Sequence, residues 1–260
     1  MCGIFGFSLA KPVPLSEVFR VIERLEVHQY KGEETPVGGY GAGTATLQDG
    51  KIIVEKTGKT GETSPAHQLA KMARTTEASV LISHVRMPSP QFMETAHLPE
   101  TAQPYVASCL AGPAIASVHN GYIDNYESLH GQLGEAHKLE SDGGVLIDSE
   151  IIPHCFEETL RANGEAEEAL QALDARLEGR MAIALLQTGQ SGGFLHFLHK
   201  GATRGLHVWA NYRDEVVFIS RRETLTPFFG DLLSKGGFRL AESVAWKEEK
   251  SIKLSYALMG

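Results

Sequence analysis

Residues 2–7, Cys-Gly-Ile-Phe-Gly-Phe, constrain this chain more than any other stretch. An end that apolar does not fray in water; its β-branched and aromatic residues predict a strand anchored in a core. Gly3 and Gly6 predict close backbone packing or unusual dihedrals beside residue 2. Cys2 directly follows the initiator methionine, so removal of Met1 makes it the terminal residue. It then carries a thiol and a free α-amine on one residue, a nucleophile with a built-in base. Reference pKa values of roughly 8 for such an amine and roughly 8.5 for a thiol make proton exchange between them nearly thermoneutral. The plainer alternative for Cys2 is a small hydrophobe at a chain end.

The 260 residues are 42% hydrophobic and 22% charged, ample for a sizeable core in one large domain or two small ones. A net charge of −8, with no Lys/Arg cluster, argues against nucleic acid as a partner. No run approaches the roughly 20 apolar residues of a membrane span, and no secretion signal opens the chain, so no membrane association is expected. Three cysteines (Cys2, Cys109 and Cys155) make no disulfide framework, and a reducing cytoplasm is the expected compartment. Cys109 and Cys155 are read as structural. His84, His97 and His119 are not at ligand spacing, so neither a metal nor a cofactor is expected.

Pattern and punctuation set out the rest. Leu15, Val18, Phe19, Ile22 and Leu25 recur at helical spacing after Pro14. Residues 28–43 read as a glycine-rich loop, either turn chemistry or a substrate-facing loop, with no phosphate cradle. Asp49-Gly50 predicts a hairpin between 44–47 and 52–54. Ser64-Pro65 caps a helix running to about Arg74. Ser79–Val85 is a strand ending at Arg86, a place for a substrate-binding side chain or simply a surface arginine. Residues 91–112 read as irregular.

Residues 113–118 form another strand, and His119-Asn120-Gly121 follows. Asn-Gly there is either a turn or an amide side chain beside an open backbone N–H, the two donors of an oxyanion hole. Gly143-Gly144 precede Val145-Leu146-Ile147-Asp148-Ser149-Glu150. Asp148 or Ser149 caps a helix ending at Asn163-Gly164, or Asp148 faces an ammonium ligand. A second helix carries Ala169, Leu170, Leu173 and Leu177. Strands follow at 181–186, 194–198, 206–210 and 216–220, then a helix at 224–233 and a strand-rich tail. Strand blocks alternating with helix pairs predict helices packed outside stacked sheets.

Four segments in order, CGIFGF (2–7), SHVRMPS (83–89), VHNGYIDNYESL (118–129) and IDSEII (147–152), resemble motifs of the class II glutamine amidotransferases. FISRRETL (218–225) is similar to their late strand and turn. The resemblance implies an α+β fold, the four-layer αββα sandwich of N-terminal nucleophile hydrolases, with residues 1–260 as a single glutaminase domain. It implies Cys2 as nucleophile, its α-amine as base, and Asn120 and Gly121 as oxyanion hole. Arg86 would hold the α-carboxylate of glutamine and Asp148 its α-ammonium. Ser89 stands where the family carries a threonine, and joins the substrate-binding candidates.

The departures are local. Pro90 replaces the family's histidine, Thr101-Ala102-Gln103-Pro104 stands where Asn-Ala-His-Pro is usual, and Gln29-Tyr30-Lys31-Gly32 only loosely echoes Tyr-Arg-Gly-Tyr-Asp. Nothing after residue 220 is long enough for a sugar isomerase, phosphoribosyltransferase or synthetase domain. Ammonia is therefore expected to pass to a separate synthase subunit. The alternatives are a γ-glutamyl amide hydrolase acting on another small molecule and a catalytically silent regulatory subunit; a homo-oligomer stays open.

Overall fold

The computed structural model describes residues 2–141, 144–189 and 192–258. Its strands are β1 (Gly3–Pro14), β2 (Gly41–Gln48), β3 (Lys51–Gly58), β4 (Glu77–Val85), β5 (Tyr105–Ala107), β6 (Ile115–Ile123), β7 (Gly179–Gly189), β8 (Gly192–Lys200), β9 (Leu206–Ala210), β10 (Val216–Ile219), β11 (Arg239–Val244) and β12 (Ile252–Ala257). The helices are α1 (Leu15–Val27), α2 (Pro65–Met72), α3 (Tyr126–Gln132), α4 (Ile151–Asn163), α5 (Ala166–Arg176) and α6 (Arg222–Lys235).

The apolar opening stretch becomes a central strand. β1 lies between β10 and β4 in a sheet ordered β11-β9-β10-β1-β4-β2-β3, and a second sheet is ordered β12-β8-β7-β6-β5. The strand pairings in both sheets are antiparallel. Alternation along β1 sends Phe5 and Phe7 to one face and Ile4 to the other. Phe5 and Phe7 pack with Val18, Ile22 and Leu25 of α1, Leu69 of α2 and Phe229 of α6. Ile4 packs between the sheets with Ile82, Val118, Ala182 and Phe218. On the far side, Ile151, Phe156, Leu170 and Leu173 cover Ile183 and Leu185. This is the expected four-layer αββα sandwich. Each buried Phe, Leu or Ile contributes roughly 1.5–3 kcal/mol of transfer free energy to it.

Close packing is what the first glycines serve. A Cβ on Gly6 would lie 2.3 Å from the Leu81 carbonyl oxygen and 2.6 Å from the Phe218 ring. Ser220, just past β10, locks the start of β1 from the other side. Its Oγ accepts the Ile4 N–H at 3.1 Å and its own N–H donates to the Ile4 carbonyl at 2.9 Å.

Several local expectations hold with shifted ends. The periodic stretch after Pro14 forms α1, and Ser64 Oγ caps α2 by accepting the His67 N–H at 3.1 Å. Asp49 and Gly50 turn the β2–β3 hairpin with φ of 48° and 74°. Gly164, φ 81°, closes α4. Two differences matter for function. Asn120-Gly121 is not a turn: β6 runs through it in unbroken register with β7, from Ile115 opposite Gln187 to Ile123 opposite Gly179. Nor does Asp148 cap α4. It opens a 3-10 turn ahead of that helix, and its Oδ2 accepts the Ile123 N–H at 3.0 Å, tying the turn to the end of β6. The irregular region also holds two 3-10 turns, Pro90–Thr95 and Pro99–Thr101, besides β5. Gly143 lies outside the described residues; Gly144 turns back through an N–H bond to the Ser141 carbonyl at 2.8 Å. Among the described residues no helix is long and apolar enough to cross a membrane.

Candidate active site

Strand pairing sets the site. Gly3 pairs with Val85, so Cys2 and Arg86 leave neighbouring strands side by side. On β1, β4 and β6 the even-numbered Ile4, Ile82 and Val118 pack between the sheets. The same alternation aims Cys2, Arg86 and Asn120 toward that layer. A cleft of about 710 Å³ opens there, lined by Cys2, Arg86, Ser89, Gly121 and Asp148. Five of the six site residues read from the sequence thus line one cleft. The sixth, Asn120, does not line the cleft surface. It is completely buried, and neither atom of its side-chain amide finds a hydrogen-bond partner among the described residues. Burying a polar group without a partner costs roughly 1–3 kcal/mol, so this amide stands ready for an acceptor.

The half-buried Cys2 sulfur meets the backbone of Met87 on both sides: it donates to the carbonyl at 3.3 Å and accepts the N–H at 3.4 Å. Two guanidinium groups, Arg86 and Arg204, are electrostatically coupled to it. Nearby cations and an N–H donor suit a sulfur that carries negative charge during attack. Gly121 takes φ +141°, and a Cβ there would lie 2.0 Å from the Arg180 carbonyl oxygen. Only glycine fits, which leaves the backbone next to Asn120 open toward the cleft.

Arg86 is 4% exposed and its fork is pre-set. It donates to Thr95 Oγ1 at 2.7 Å, to the Thr95 carbonyl at 3.1 Å and to Thr101 Oγ1 at 2.7 Å. These bonds come from the two 3-10 turns of the irregular region, and they leave part of the five-donor guanidinium for a ligand. Burial lowers the pKa of Arg86, opposed by Tyr105, Cys2 and Asp148. Burial lifts the Asp148 carboxyl to about 6, opposed by the Ile123 N–H it accepts. A fixed cation and a desolvated carboxylate lining one cleft complement a zwitterion.

Sequence reasoning missed several neighbours. Gln103 bonds both backbone groups of His119, accepting its N–H at 2.6 Å and donating to its carbonyl at 3.2 Å, and so holds β6 just ahead of Asn120. Gln103 also donates to Ser149 Oγ at 3.1 Å, and His119 Nδ1 meets the same oxygen at 2.8 Å. Burial pushes the His119 and His84 imidazoles down to about 3, so both are neutral side chains. Arg180, Arg204, Trp246 and Lys247 complete the rim. The glycine-rich loop does not line the cleft, but its Tyr30 stacks on Trp246 at 4.4 Å and lies under Arg221 at 3.5 Å. The one signal available for Gln103 was its place in the segment that departs from the family pattern.

No protein-family model matches the chain. Among curated proteins it is similar to the glutamine–fructose-6-phosphate aminotransferase (isomerizing) of Pyrococcus horikoshii, 31% identical over 188 residues, covering 72% of this chain and 27% of the relative. The enzyme of the same name from Bartonella quintana is 29% identical over 237 residues, covering 90% of this chain and 34% of the relative. The matched region thus spans about a third or less of these relatives' length. Two solved structures share the fold. One, an allosteric regulatory enzyme of purine biosynthesis, has a TM-score of 0.64 at 17% identity, over 97% of this chain and 48% of that one. The other, a glutamine phosphoribosylpyrophosphate amidotransferase from B. subtilis, has a TM-score of 0.61 at 19% identity, over 97% and 49%. With its opening cysteine, its ordered motifs and this sandwich, the chain belongs to the class II glutamine amidotransferases.

Proposed function

We propose that residues 1–260 form one glutaminase unit that hydrolyses the side-chain amide of glutamine and hands the ammonia to a synthase partner. The observation that supports this most is the meeting of Cys2, Arg86, Gly121 and Asp148 around one cleft, with the Asn120 amide, unpartnered among the described residues, facing the same inter-sheet layer. Removal of Met1 frees the α-amine of Cys2, which takes the thiol proton as sulfur attacks the amide carbon. Asn120 Nδ2 and the Gly121 N–H donate to the oxyanion of the tetrahedral intermediate. The protonated amine returns its proton to the departing nitrogen, and ammonia leaves. Water then attacks the γ-glutamyl thioester, giving glutamate and restoring the thiol. Arg86 binds the α-carboxylate, Asp148 the α-ammonium, and Ser89 adds a hydroxyl at the cleft edge. A cytoplasmic setting keeps the thiol reduced. The relatives' names specify fructose 6-phosphate or phosphoribosyl pyrophosphate; we carry over only the release of ammonia that such enzymes require.

One observation favours a second reading. At about 710 Å³ the cleft falls in the range of drug-sized ligands, and its rim adds Arg180, Arg204, Trp246 and Lys247. That space suits a γ-glutamyl amide with a substituent on nitrogen. The test uses purified protein whose N-terminus is Cys2. Release of glutamate from glutamine supports the first reading. Turnover of γ-glutamyl amides alone selects the second, and turnover of neither, with candidate synthases present, selects a silent regulatory subunit. A glutamine-like electrophile followed by mass spectrometry should report loss of Met1 and modification of Cys2 alone. Full activity in a protein with an uncleavable N-terminal tag would overturn the α-amine as base.

A further inference from the structure

Far along the chain from Cys2, a second thiol has different company. Cys109 lies in the loop after β5, His137 in the loop after α3, and His154 and Glu157 one turn apart on α4. That i, i+3 spacing puts the last two on one helix face. One ligand atom from each of the four residues lies within 4.8 Å of all the others. Cys109 Sγ is 3.7 Å from His154 Nδ1, the two Nδ1 atoms of His137 and His154 are 3.2 Å apart, and His137 Nδ1 is 3.5 Å from Glu157 Oε2. Zinc bonds of about 2.3 Å to sulfur and about 2.0–2.1 Å to nitrogen or oxygen give tetrahedron edges of roughly 3.6 Å for S–N and roughly 3.3 Å for N–N or N–O. The three separations of 3.7, 3.2 and 3.5 Å lie close to those edges.

We propose that Cys109, His137, His154 and Glu157 form a structural site for one divalent transition metal, with zinc the ion its donor set suits. Thiolate, two imidazoles and a carboxylate are borderline-soft ligands in a closed four-coordinate set, which leaves no position for a substrate. Glu157 is 5% exposed, and its Oε2 has no hydrogen-bond partner among the described residues. A carboxylate oxygen so placed, with the His137 ring 3.5 Å away, is suited to a cation between the two. The surrounding bonds orient the ligands. Glu157 Oε1 accepts the Leu110 N–H at 2.8 Å, and Cys109 Sγ accepts the Lys138 N–H at 3.4 Å. His137 turns its Nε2 toward Glu158 Oε1 at 3.5 Å, and Glu158 is held by Arg176 of α5 at 2.9 Å. A carboxylate behind a ligating imidazole fixes its tautomer and raises its basicity. None of the four residues lines the cleft. The metal therefore ties two loops to α4, the helix that follows the Asp148 turn, and takes no part in the thioester chemistry.

The full chain is stripped with a chelator under reducing conditions and titrated with Co²⁺ alone, then with Zn²⁺. The expected result is saturable uptake of one equivalent. It should show a thiolate-to-cobalt charge-transfer band and a tetrahedral ligand-field spectrum, both erased by Zn²⁺. The Cys2→Ser protein should give the same spectrum, which separates this site from the proposed nucleophile. Cys109→Ser should lose the charge-transfer band. Glu157→Gln keeps the side-chain shape and, with folding checked by circular dichroism, should bind at least roughly tenfold more weakly. An octahedral spectrum, no uptake, or equal affinity in folded Glu157→Gln overturns the proposal. In that case His137 serves instead as a polar contact between Glu157 and Glu158.

Discussion

Cys2 and Cys109 are both half-buried thiols, yet their surroundings differ in kind. Around Cys2 stand donors and cations: the Met87 N–H, Arg86 and Arg204, with an open cleft in front. Around Cys109 stand electron-pair donors, two imidazoles and a carboxylate, and it lies outside the Cys2 cleft. A sulfur that must attack carbon needs charge stabilisation and room for a substrate. A sulfur that binds a metal needs other ligands and closure. The difference teaches that exposure alone says little about a cysteine, whereas the polarity of its neighbours says which chemistry it serves.

Exchanging the two thiols for hydroxyls is the strongest way to break that comparison. Cys2→Ser should cut glutamine turnover by about 10⁴-fold or more, as removing a nucleophile does in other hydrolases, with metal uptake unchanged. Cys109→Ser should do the reverse. Comparable loss of turnover in both would mean that the two sites are not separate. Asn120→Ala comes next, with a loss of roughly 10²–10³-fold in kcat. Thermal stability should hold or rise, because the variant removes a buried amide without partners. A large drop in melting temperature at unchanged kcat would make Asn120 a packing residue. Arg86→Lys forfeits the planar fork and should lower kcat/KM for glutamine about 10–100-fold. Turnover of 4-aminobutanamide, which lacks the α-carboxylate, should barely change; equal losses on both would place Arg86 outside carboxylate binding.

How much of this was legible in the sequence depended on how local the information was. The β1 strand, the periodicity of α1, the Asp49-Gly50 hairpin and the Gly164 stop each sit in a few consecutive residues. The convergence of Cys2, Arg86, Gly121 and Asp148 on one cleft was legible because each lies in a short motif at or near the end of an element. What was not legible is carried by distant pairing. Gln103 matters because a loop brings its amide against the His119 backbone. Ser220 matters because β10 lies beside β1. Cys109 was read as structural and His137, His154 and Glu157 were not singled out, since no linear spacing between residues 109 and 157 shows that a loop, another loop and α4 converge. Whether Asn120-Gly121 was a turn or a pair of donors stayed open in the sequence because the β7 ladder, which keeps it extended, lies far downstream.

The smallest expected effect is the most diagnostic for the cleft. Asp148 ordinarily has a carboxyl near 3.8, and burial lifts it to about 6 in the folded chain. Between those values the folded state binds the proton more tightly than the unfolded one. The stabilisation that follows is complete below about 4 and is lost as pH rises through about 6. At pH 7 the ionised, desolvated carboxylate therefore costs on the order of 2–3 kcal/mol. An ammonium ligand needs that ionised form, so KM for glutamine should climb as pH falls below about 6, by up to roughly tenfold per unit. Asp148→Asn can still accept the Ile123 N–H through its carbonyl oxygen, without the charge. It should raise the unfolding free energy at pH 7, gain little near pH 4, and show a high KM that no longer varies between pH 5 and 7. Denaturant titrations at two pH values and a KM profile decide it. If the Asp148→Asn protein is less stable at pH 7 and keeps a wild-type KM profile, the carboxylate is a fastener for the end of β6 and the ammonium belongs to another group.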